Sequence, residues 1–391
     1  MTASPDKTLN SATTPTTAIR ATAGSAYMEW SKLHSTAKYN LATSGVVSFP
    51  LADLGVTIDQ LEINGTTGYG YDPLLAAIVQ RYRVPKECVV SALGTSFANY
   101  LALAGATEPG DELLIEQPTY DPMLGAARYL GLTIKRFQRR AENNFAIDLD
   151  ELERNLTPRT RVIALCNMHN PSGALTPDSG LRKIADLAAR NNTYVMVDEV
   201  YREMLFESEP RSAFHLDPER FIITTSLTKA YGLSGLRCGW ILAPRELAQR
   251  MWHIHDVHGA TYAYPAEALS VIAFEKLPMI SARMKAMLDA NRKLLRDFLA
   301  QRDDLDFYWP DYGTVVFPRL KHGDVDALCE TLRRDFQTSV VPGHFFEMPD
   351  RFRIGVGITT EATKEALPKL ARGLDAYKDA YKVSLSAGTR A

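Results

Sequence analysis

Phe221-Ile-Ile-Thr-Thr-Ser226-Leu-Thr-Lys229-Ala-Tyr-Gly-Leu-Ser-Gly-Leu-Arg237-Cys-Gly-Trp-Ile-Leu242 holds two short apolar runs joined by a turn rich in hydroxyls and glycine. Phe221–Thr224 and Cys238–Leu242 are apolar on both faces, the pattern of strands buried between two layers. Between them Lys229 stands among hydroxyls and small residues, with Arg237 eight positions later. An amine crowded away from water is what a lysine needs to form an imine with an aldehyde. Hydroxyls with a nearby cation are what a phosphate needs. A lone Lys-Arg pair in a loop is usually a solvated one, so this reading depends on the flanking strands and on four further motifs.

Working outward, Val89–Leu93, Glu112–Glu116, Thr133–Phe137, Val162–Leu165 and Tyr194–Val197 repeat the doubly apolar pattern. Helices are predicted over Asp72–Tyr82, Ser96–Thr107, Met123–Leu130 and Asp148–Leu156, the first opening with Asp-Pro. The alternation predicts an α/β fold: a mostly parallel seven-stranded sheet with helices on both faces. Ligands of such sheets sit outside the strand C-terminal ends. Beyond about residue 256 the texture changes. Helices are expected over Pro265–Lys276 and Ser281–Gln301, strands over Thr314–Leu320, Ser339–Val341 and Phe352–Val356, and a last helix from near Thr363. The implied division is a large domain over residues 50–255 and a smaller α+β domain from residues 25–49 and 256–391. Residues 1–24, rich in Ser, Thr and Ala, read as a disordered tail, or alternatively as a transit peptide.

A net charge of -2, with 23% charged residues in 391, gives no global field for nucleic acid or an anionic membrane. The basic run Lys135–Arg140 reads as a solvated strand edge. Cys88, Cys166, Cys238 and Cys329 form no CxxC pair; the first three lie in strand-like runs and read as buried thiols. No apolar run is long enough to span a membrane, and the N-terminus lacks the apolar core of a secretion signal, so a cytoplasmic protein is expected. His253, His255 and His258 are offset by two and three, which does not align them on one helical face, so no metal site is expected.

Four further groups of residues fall at strand ends or in loops. Gly94-Thr95-Ser96 joins a strand to a helix, where free N–H groups and hydroxyls would cradle a phosphate or where the hydroxyls simply cap the helix. Asn167-Met-His-Asn170-Pro-Ser-Gly is a polar turn, or places Asn170 to donate to a phenolate oxygen. Asp198, where its apolar run stops, suits an acid that keeps a ring nitrogen protonated, or a helix cap. Tyr120 can stack on a planar ring or on its own core. Late in the chain, Arg353 interrupts an apolar strand and needs a buried partner, either a structural acid or a substrate carboxylate.

Taken in order, Gly94-Thr-Ser, Tyr120, Asn170-Pro-Ser-Gly, Asp198-x-x-Tyr201, Ser226-x-x-Lys229 with Arg237, and Arg353 resemble the fold-type I pyridoxal-phosphate enzymes. The likeness is to the class I/II aminotransferases related to aspartate aminotransferase, over roughly residues 27 to 380. By that resemblance, pyridoxal 5'-phosphate would be bonded to Lys229, which would also carry the α-proton. Asp198 would pair with the ring nitrogen. Asn170 and Tyr201 would bond its phenolic oxygen, and Tyr120 would stack on the ring. Gly94, Thr95, Ser96, Ser226 and Arg237 would bind the phosphate, and Arg353, helped by Gly45 and Asn170, the substrate carboxylate. The implied reaction is ping-pong exchange of an amino group between an L-α-amino acid and a 2-oxo acid, in a homodimer.

The sequence departs from the family pattern in three places. Gly65 stands where a tyrosine usually reaches the partner's phosphate, with Tyr69 and Tyr71 nearby. Ser96 stands where one branch carries lysine. No arginine precedes Tyr262-Ala-Tyr-Pro265, so aspartate specificity is unsupported, and Tyr27, Trp30, Tyr262 and Tyr264 suit an apolar or aromatic wall. A lyase, or a synthase making a cyclic product, uses the same residues and is the alternative. A regulator that uses the fold as a sensor would need a DNA-binding extension, for which the tail is too short and polar.

Overall fold

The structure, a computed structural model, describes residues 24–207 and 211–388. The tail expected over residues 1–24 therefore lies, but for Gly24, outside the described residues. Seven strands form the main sheet: β1 (Val89–Leu93), β2 (Glu112–Gln117), β3 (Thr133–Gln138), β4 (Thr160–Cys166), β5 (Tyr194–Asp198), β6 (Phe221–Ser226) and β7 (Cys238–Leu242). Their spatial order is β1-β7-β6-β5-β4-β2-β3. β7 runs antiparallel to both neighbours, and every other pair is parallel. The connection between β6 and β7 is too short for a helical crossover, so the chain must turn straight back. That reversal carries Lys229. Because β7 is flanked on both sides by opposed strands, the C-terminal ends of β1, β2, β4, β5 and β6 all point the same way.

Helix α1 (Ala26–Leu33) starts at Ser25, whose hydroxyl accepts from Met28 N at 3.1 Å and donates to Asp121 at 2.6 Å. The second bond ties the helix to the rim of the sheet. Helix α2 (Gly94–Ala106) follows β1 directly. Its buried row, including Ala98, Leu101 and Ala102, packs on the sheet. The sequence predicts two helices between 265 and 301, but there is one, α3 (Tyr264–Leu299), with Pro278 inside it. A mid-helix proline costs about 3 kcal/mol. The buried row Ala273, Leu277, Ile280, Met284, Leu288 continues past it, and each large side chain contributes about 1.5–3 kcal/mol. Packing therefore outweighs the break. The same helix supplies Leu295 and Leu299 to a second apolar cluster, built otherwise from Tyr39, Leu41 and residues between Leu305 and Leu374.

In that second region Phe352–Gly355 is the middle strand of three, between Val315–Val316 and Val341–Pro342. The single strand expected over Thr314–Leu320 is split at Phe317-Pro318, and Arg319–Leu320 pairs instead with Leu305–Asp306. Proline has no N–H to give the ladder. The strand expected over Ser339–Val341 is likewise two two-residue strands, Thr338–Ser339 and Val341–Pro342. The basic run also needs correction. β3 is an edge strand, but Arg139 just beyond it is 1% exposed and pairs with Glu116, itself fully buried, at 2.8 Å. Cys88, Cys166, Cys238 and Cys329 are free thiols, all buried except the half-buried Cys88.

Candidate active site

A cavity of about 180 Å³ opens where the C-terminal ends of the strands meet the N-terminal segment. Tyr120, Asn170, Asp198, Tyr201, Lys229 and Arg237 all face it, together with Thr95 and Ser96. These come from the segments following β2, β4, β5, β6 and β1, and from the start of β7. Eight of the residues singled out in the sequence thus line one cavity; Gly94, Ser226, Arg353 and Gly45 stand next to it without lining it.

Lys229 Nζ donates to Ser44 Oγ at 3.0 Å. Burial lowers the lysine's pKa from its ordinary value, and the Arg353 and Arg237 cations lower it further, against the pull of Tyr27 and Asp198. The segment carrying Ser44 is held against the lysine by close backbone contacts. Val46 N donates to Lys229 O at 2.9 Å, and a Cβ on Gly45 would sit 3.2 Å from Lys229 Cδ. Phe49 N donates to Gly232 O at 3.0 Å, and a Cβ on Gly232, at φ +67°, would fall 2.1 Å from Val47 O. Glycine is required where two backbones approach this closely.

Asp198 ends β5 at 3% exposure. It accepts from Asn99 Nδ2 at 3.0 Å and from Val200 N at 3.0 Å, while Asn99 Oδ1 accepts from Thr224 at 2.5 Å. Burial pushes the Asp198 carboxyl up to about 6, a rise that these two donors and the Lys229 charge restrain. Asn99 stands one turn after Ser96 on α2. A polar residue in that apolar helix is the signal that would have revealed it.

The far end of the cavity is built for an anion. The N-terminus of α2 presents Thr95 and Ser96, and Thr95 Oγ1 donates to Ser226 Oγ at 2.8 Å. Arg237 donates to Leu93 O at 3.0 Å and Ser234 O at 3.2 Å, which fixes its guanidinium beside Gly94. Gly94 has φ +75°, and a Cβ there would collide with Arg237 Nη2. A Cβ on Gly239 would meet the Gly94 backbone at 2.6 Å. Two glycines thus let the loop, the arginine and β7 share one small volume.

At the opposite end Arg353 is fully buried. It donates to Asn170 Oδ1 at 2.8 Å, Tyr27 Oη at 2.9 Å and Ala42 O at 3.0 Å. Its Nε has no partner among the described residues. Tyr27, on α1, is the site residue whose contact the sequence did not reveal. Burial raises its phenol, but the charges of Arg353 and Lys229 outweigh that, leaving a net lowering. Tyr27, Trp30, Phe345 and Phe346 form an aromatic wall with centroids 5.4–6.5 Å apart. Tyr120 packs edge-on to Tyr27 at 6.0 Å, and burial holds its phenol and that of Tyr201 well above the usual range. Gly65 lies against Tyr264, whose ring occupies the space any side chain at 65 would need.

A phosphate-bearing coenzyme with an aldehyde and a basic ring nitrogen fits this donor set. The cradle at Gly94 has the donors to take a phosphate, Lys229 and Asp198 face the same cavity, and the Asp198 carboxylate is buried. The buried Nε of Arg353 still lacks an acceptor. The profile of aminotransferase class I and II matches residues 57–370. Capreomycidine synthase of Streptomyces vinaceus is 32% identical over 355 residues, covering 88% of this chain and 90% of its own. Arginine–pyruvate transaminase of Pseudomonas aeruginosa is 28% identical, covering 82% of this chain and 86% of its own. In structure the chain is similar to a pyridoxal-phosphate-dependent aminotransferase of Streptococcus suis, with a TM-score of 0.84 at 24% identity, covering 90% and 97%. The pyridoxal-phosphate-dependent cyclase OrfR follows at 0.82 and 24%, covering 90% and 96%. This chain belongs to the class I and II aminotransferases, and it is a pyridoxal-phosphate-dependent transaminase.

Proposed function

We propose that Lys229 is the amine that bonds the coenzyme and then moves the α-proton, with the other cavity groups binding and orienting around it. When bound, pyridoxal phosphate supplies the carbon that exchanges the amino group and a ring that spreads the electrons of a broken Cα–H bond. The lowered pKa of Lys229 makes the neutral amine available as nucleophile and base. Asp198, held by Asn99 and Val200, presents its charge to the ring nitrogen. Asn170 and Tyr201 would hydrogen-bond the ring's phenolic oxygen, and Tyr120 would pack on its face. Gly94, Thr95, Ser96, Ser226 and Arg237 bind the phosphate. Arg353, with Asn170 and the backbone at Gly45, grips the substrate's α-carboxylate. Held by that grip, the substrate would present its α-carbon to Lys229, which would take the proton.

The cycle is ping-pong: one amino acid leaves its amino group and departs as a 2-oxo acid, and a second 2-oxo acid takes the group away. The observation that carries this reading is that Lys229, Asp198, Asn170 and Arg237 face one cavity. To test it, the coenzyme-loaded protein is screened with amino acids for a shift of its visible band, and then with 2-oxo acids for its return. Lys229→Ala that still turned over normally would overturn the assignment.

A second reading, a ring-forming synthase, is supported by the likeness to capreomycidine synthase and to the cyclase OrfR. Arginine with pyruvate separates the two. Alanine appearing in step with arginine loss supports transfer, and a dehydrated cyclic product that keeps its amino group supports the synthase.

We also propose a homodimer, supported by Ile58 and Val257, each 85% exposed, and Ile63, 77% exposed. Light scattering tests it. A large domain over residues 50–255 and a small one from residues 25–49 and 256–391 is supported by the two apolar clusters. A cytoplasmic setting is supported by the four unpaired thiols. No helix of the described residues is long and apolar enough to cross a membrane.

A further inference from the structure

Behind the phosphate cradle, and sharing Arg237 as a wall with the main cavity, lies a second cavity of about 190 Å³. Glu267, in the first turn of α3, projects into it at 5% exposure, and neither carboxylate oxygen has a hydrogen-bond partner among the described residues. Ser91 on β1 lines the same space at 2% exposure, and its hydroxyl is also without a partner. Tyr262 and Ser270 add two more hydroxyls to the walls; Tyr262 donates to Ser91 O at 2.8 Å and Ser270 to Ala266 O at 2.6 Å.

A buried carboxylate without a cation is among the costliest groups a protein can hold, and it must be neutralised by a proton or by a positive charge. Neither Glu267 oxygen has a partner among the described residues, and Arg237 is bonded to Leu93 O and Ser234 O. The N–H of Tyr71 favours the charged form without reaching hydrogen-bond geometry, and burial still leaves the carboxyl raised above its ordinary value. On the Glu267 side the donors are one carboxylate and the hydroxyls of Ser91, Tyr262 and Ser270, beside the Cys238 thiol; Arg237 closes the other side. Calcium and magnesium favour sites with more carboxylate charge. No cluster of three His, Cys, Asp or Glu is present among the described residues. One charge and hard oxygen ligands match a singly charged ion.

We propose that Glu267 and Ser91 bind a small monovalent cation, of the sodium, potassium and ammonium class, in this cavity. The ion neutralises Glu267 and takes up the lone pairs of Ser91, Tyr262 and Ser270. Arg237 walls both cavities, but its guanidinium is turned to Leu93 O and Ser234 O, so the ion is held on the Glu267 side; the binding does not depend on reading Arg237 as the phosphate ligand.

Sodium NMR on the coenzyme-loaded protein tests it, with ionic strength held constant by N-methylglucammonium chloride. The expected result is saturable broadening of the sodium line, reversed by potassium chloride, with a melting point higher in sodium or potassium than in the organic cation. Glu267→Gln should abolish both effects, and Ser91→Ala should weaken sodium affinity several-fold. If Glu267→Gln does not fold, Ser91→Ala decides through its titration midpoint. No excess broadening in the unaltered protein, or broadening unchanged in the variants, overturns the proposal. Equal melting points in all three salts do so as well, and indicate a carboxyl neutralised by a proton.

Discussion

Arg353 Nη1 donates to Asn170 Oδ1 at 2.8 Å, tying the buried arginine to a side chain that lines the cavity. A guanidinium can only donate, so the Asn170 oxygen must face it and the amide NH₂ must turn the other way, toward the coenzyme. Asn170→Ala removes a bond to a charged group, which is worth about 1.5–3 kcal/mol. The expected result is a fall in kcat/KM of about 10- to 100-fold. Asn170→Asp gives Arg353 a carboxylate of its own, so KM for the amino acid should rise more than kcat falls. Steady-state kinetics check both.

Arg353→Lys keeps the charge and loses the planar fork that grips a carboxylate at two points. KM for the amino acid should rise at least about 10-fold, while the visible spectrum of the loaded protein stays unchanged. A spectrum that changes as much as KM would place Arg353 at the coenzyme rather than at the substrate.

Asp198 gives a pH dependence of definite sign. Its carboxyl is raised to about 6 without coenzyme, from an ordinary 3.8, because burial opposes the charge. Below about 6 it is mostly protonated and cannot pair with a ring N–H; above, it is charged. Coenzyme affinity should therefore rise from pH 5 to 7 and then level off, as read from a fluorescence titration at each pH. Stability of the coenzyme-free protein has the opposite sign: a raised folded-state pKa favours the protonated form, so Asp198's contribution falls as pH rises from about 4 to about 6. Asp198→Asn should flatten the affinity curve.

Arg139 and Glu116 are buried together beneath the turn that carries Asn170. Besides Glu116, Arg139 donates to Phe145 O and Thr176, and Glu116 accepts from Cys166 N at 2.7 Å. Removing one member of a buried pair costs about 3–5 kcal/mol because the other charge is stranded. Arg139→Met should lose about that much in chemical denaturation. Arg139→Met combined with Glu116→Gln should lose less than the two single changes added together.

Gly232→Ala places a Cβ where Val47 O already stands, at a positive φ. The segment holding Ser44 and Gly45 against Lys229 must then shift. A stability loss of about 1–3 kcal/mol is expected, with a displaced visible band showing that the lysine has moved too.

The site was legible where chemistry sits at abrupt strand ends. Lys229, Asp198 and Gly94 each follow or end a doubly apolar run, and Arg237 opens one, so their position relative to the sheet could be read from pattern alone. Tyr27 could not be tied to Arg353, because 326 positions separate them and only the folded N-terminal segment brings them together. Arg139 was misread as a surface charge because its partner, Glu116, lies on a neighbouring strand. Pro278 marked a helix end by local chemistry, and the apolar row on either side overrode it. The helices Asp178–Arg190, Arg245–Gly259 and Val325–Phe336 are not evident in the sequence. The first and last have strong polar faces, whose apolar stripe was missed beside the more obvious strands.

Helix α3 has 36 residues, about 54 Å at 1.5 Å per residue. Its first part is set in one apolar cluster and its last turns in the other. Neither cluster can come apart without fraying the rod that both grip, so heating should give a single calorimetric endotherm. A route to hardening the protein against heat thus runs along this one element, through exposed positions such as Met279, rather than through either core separately.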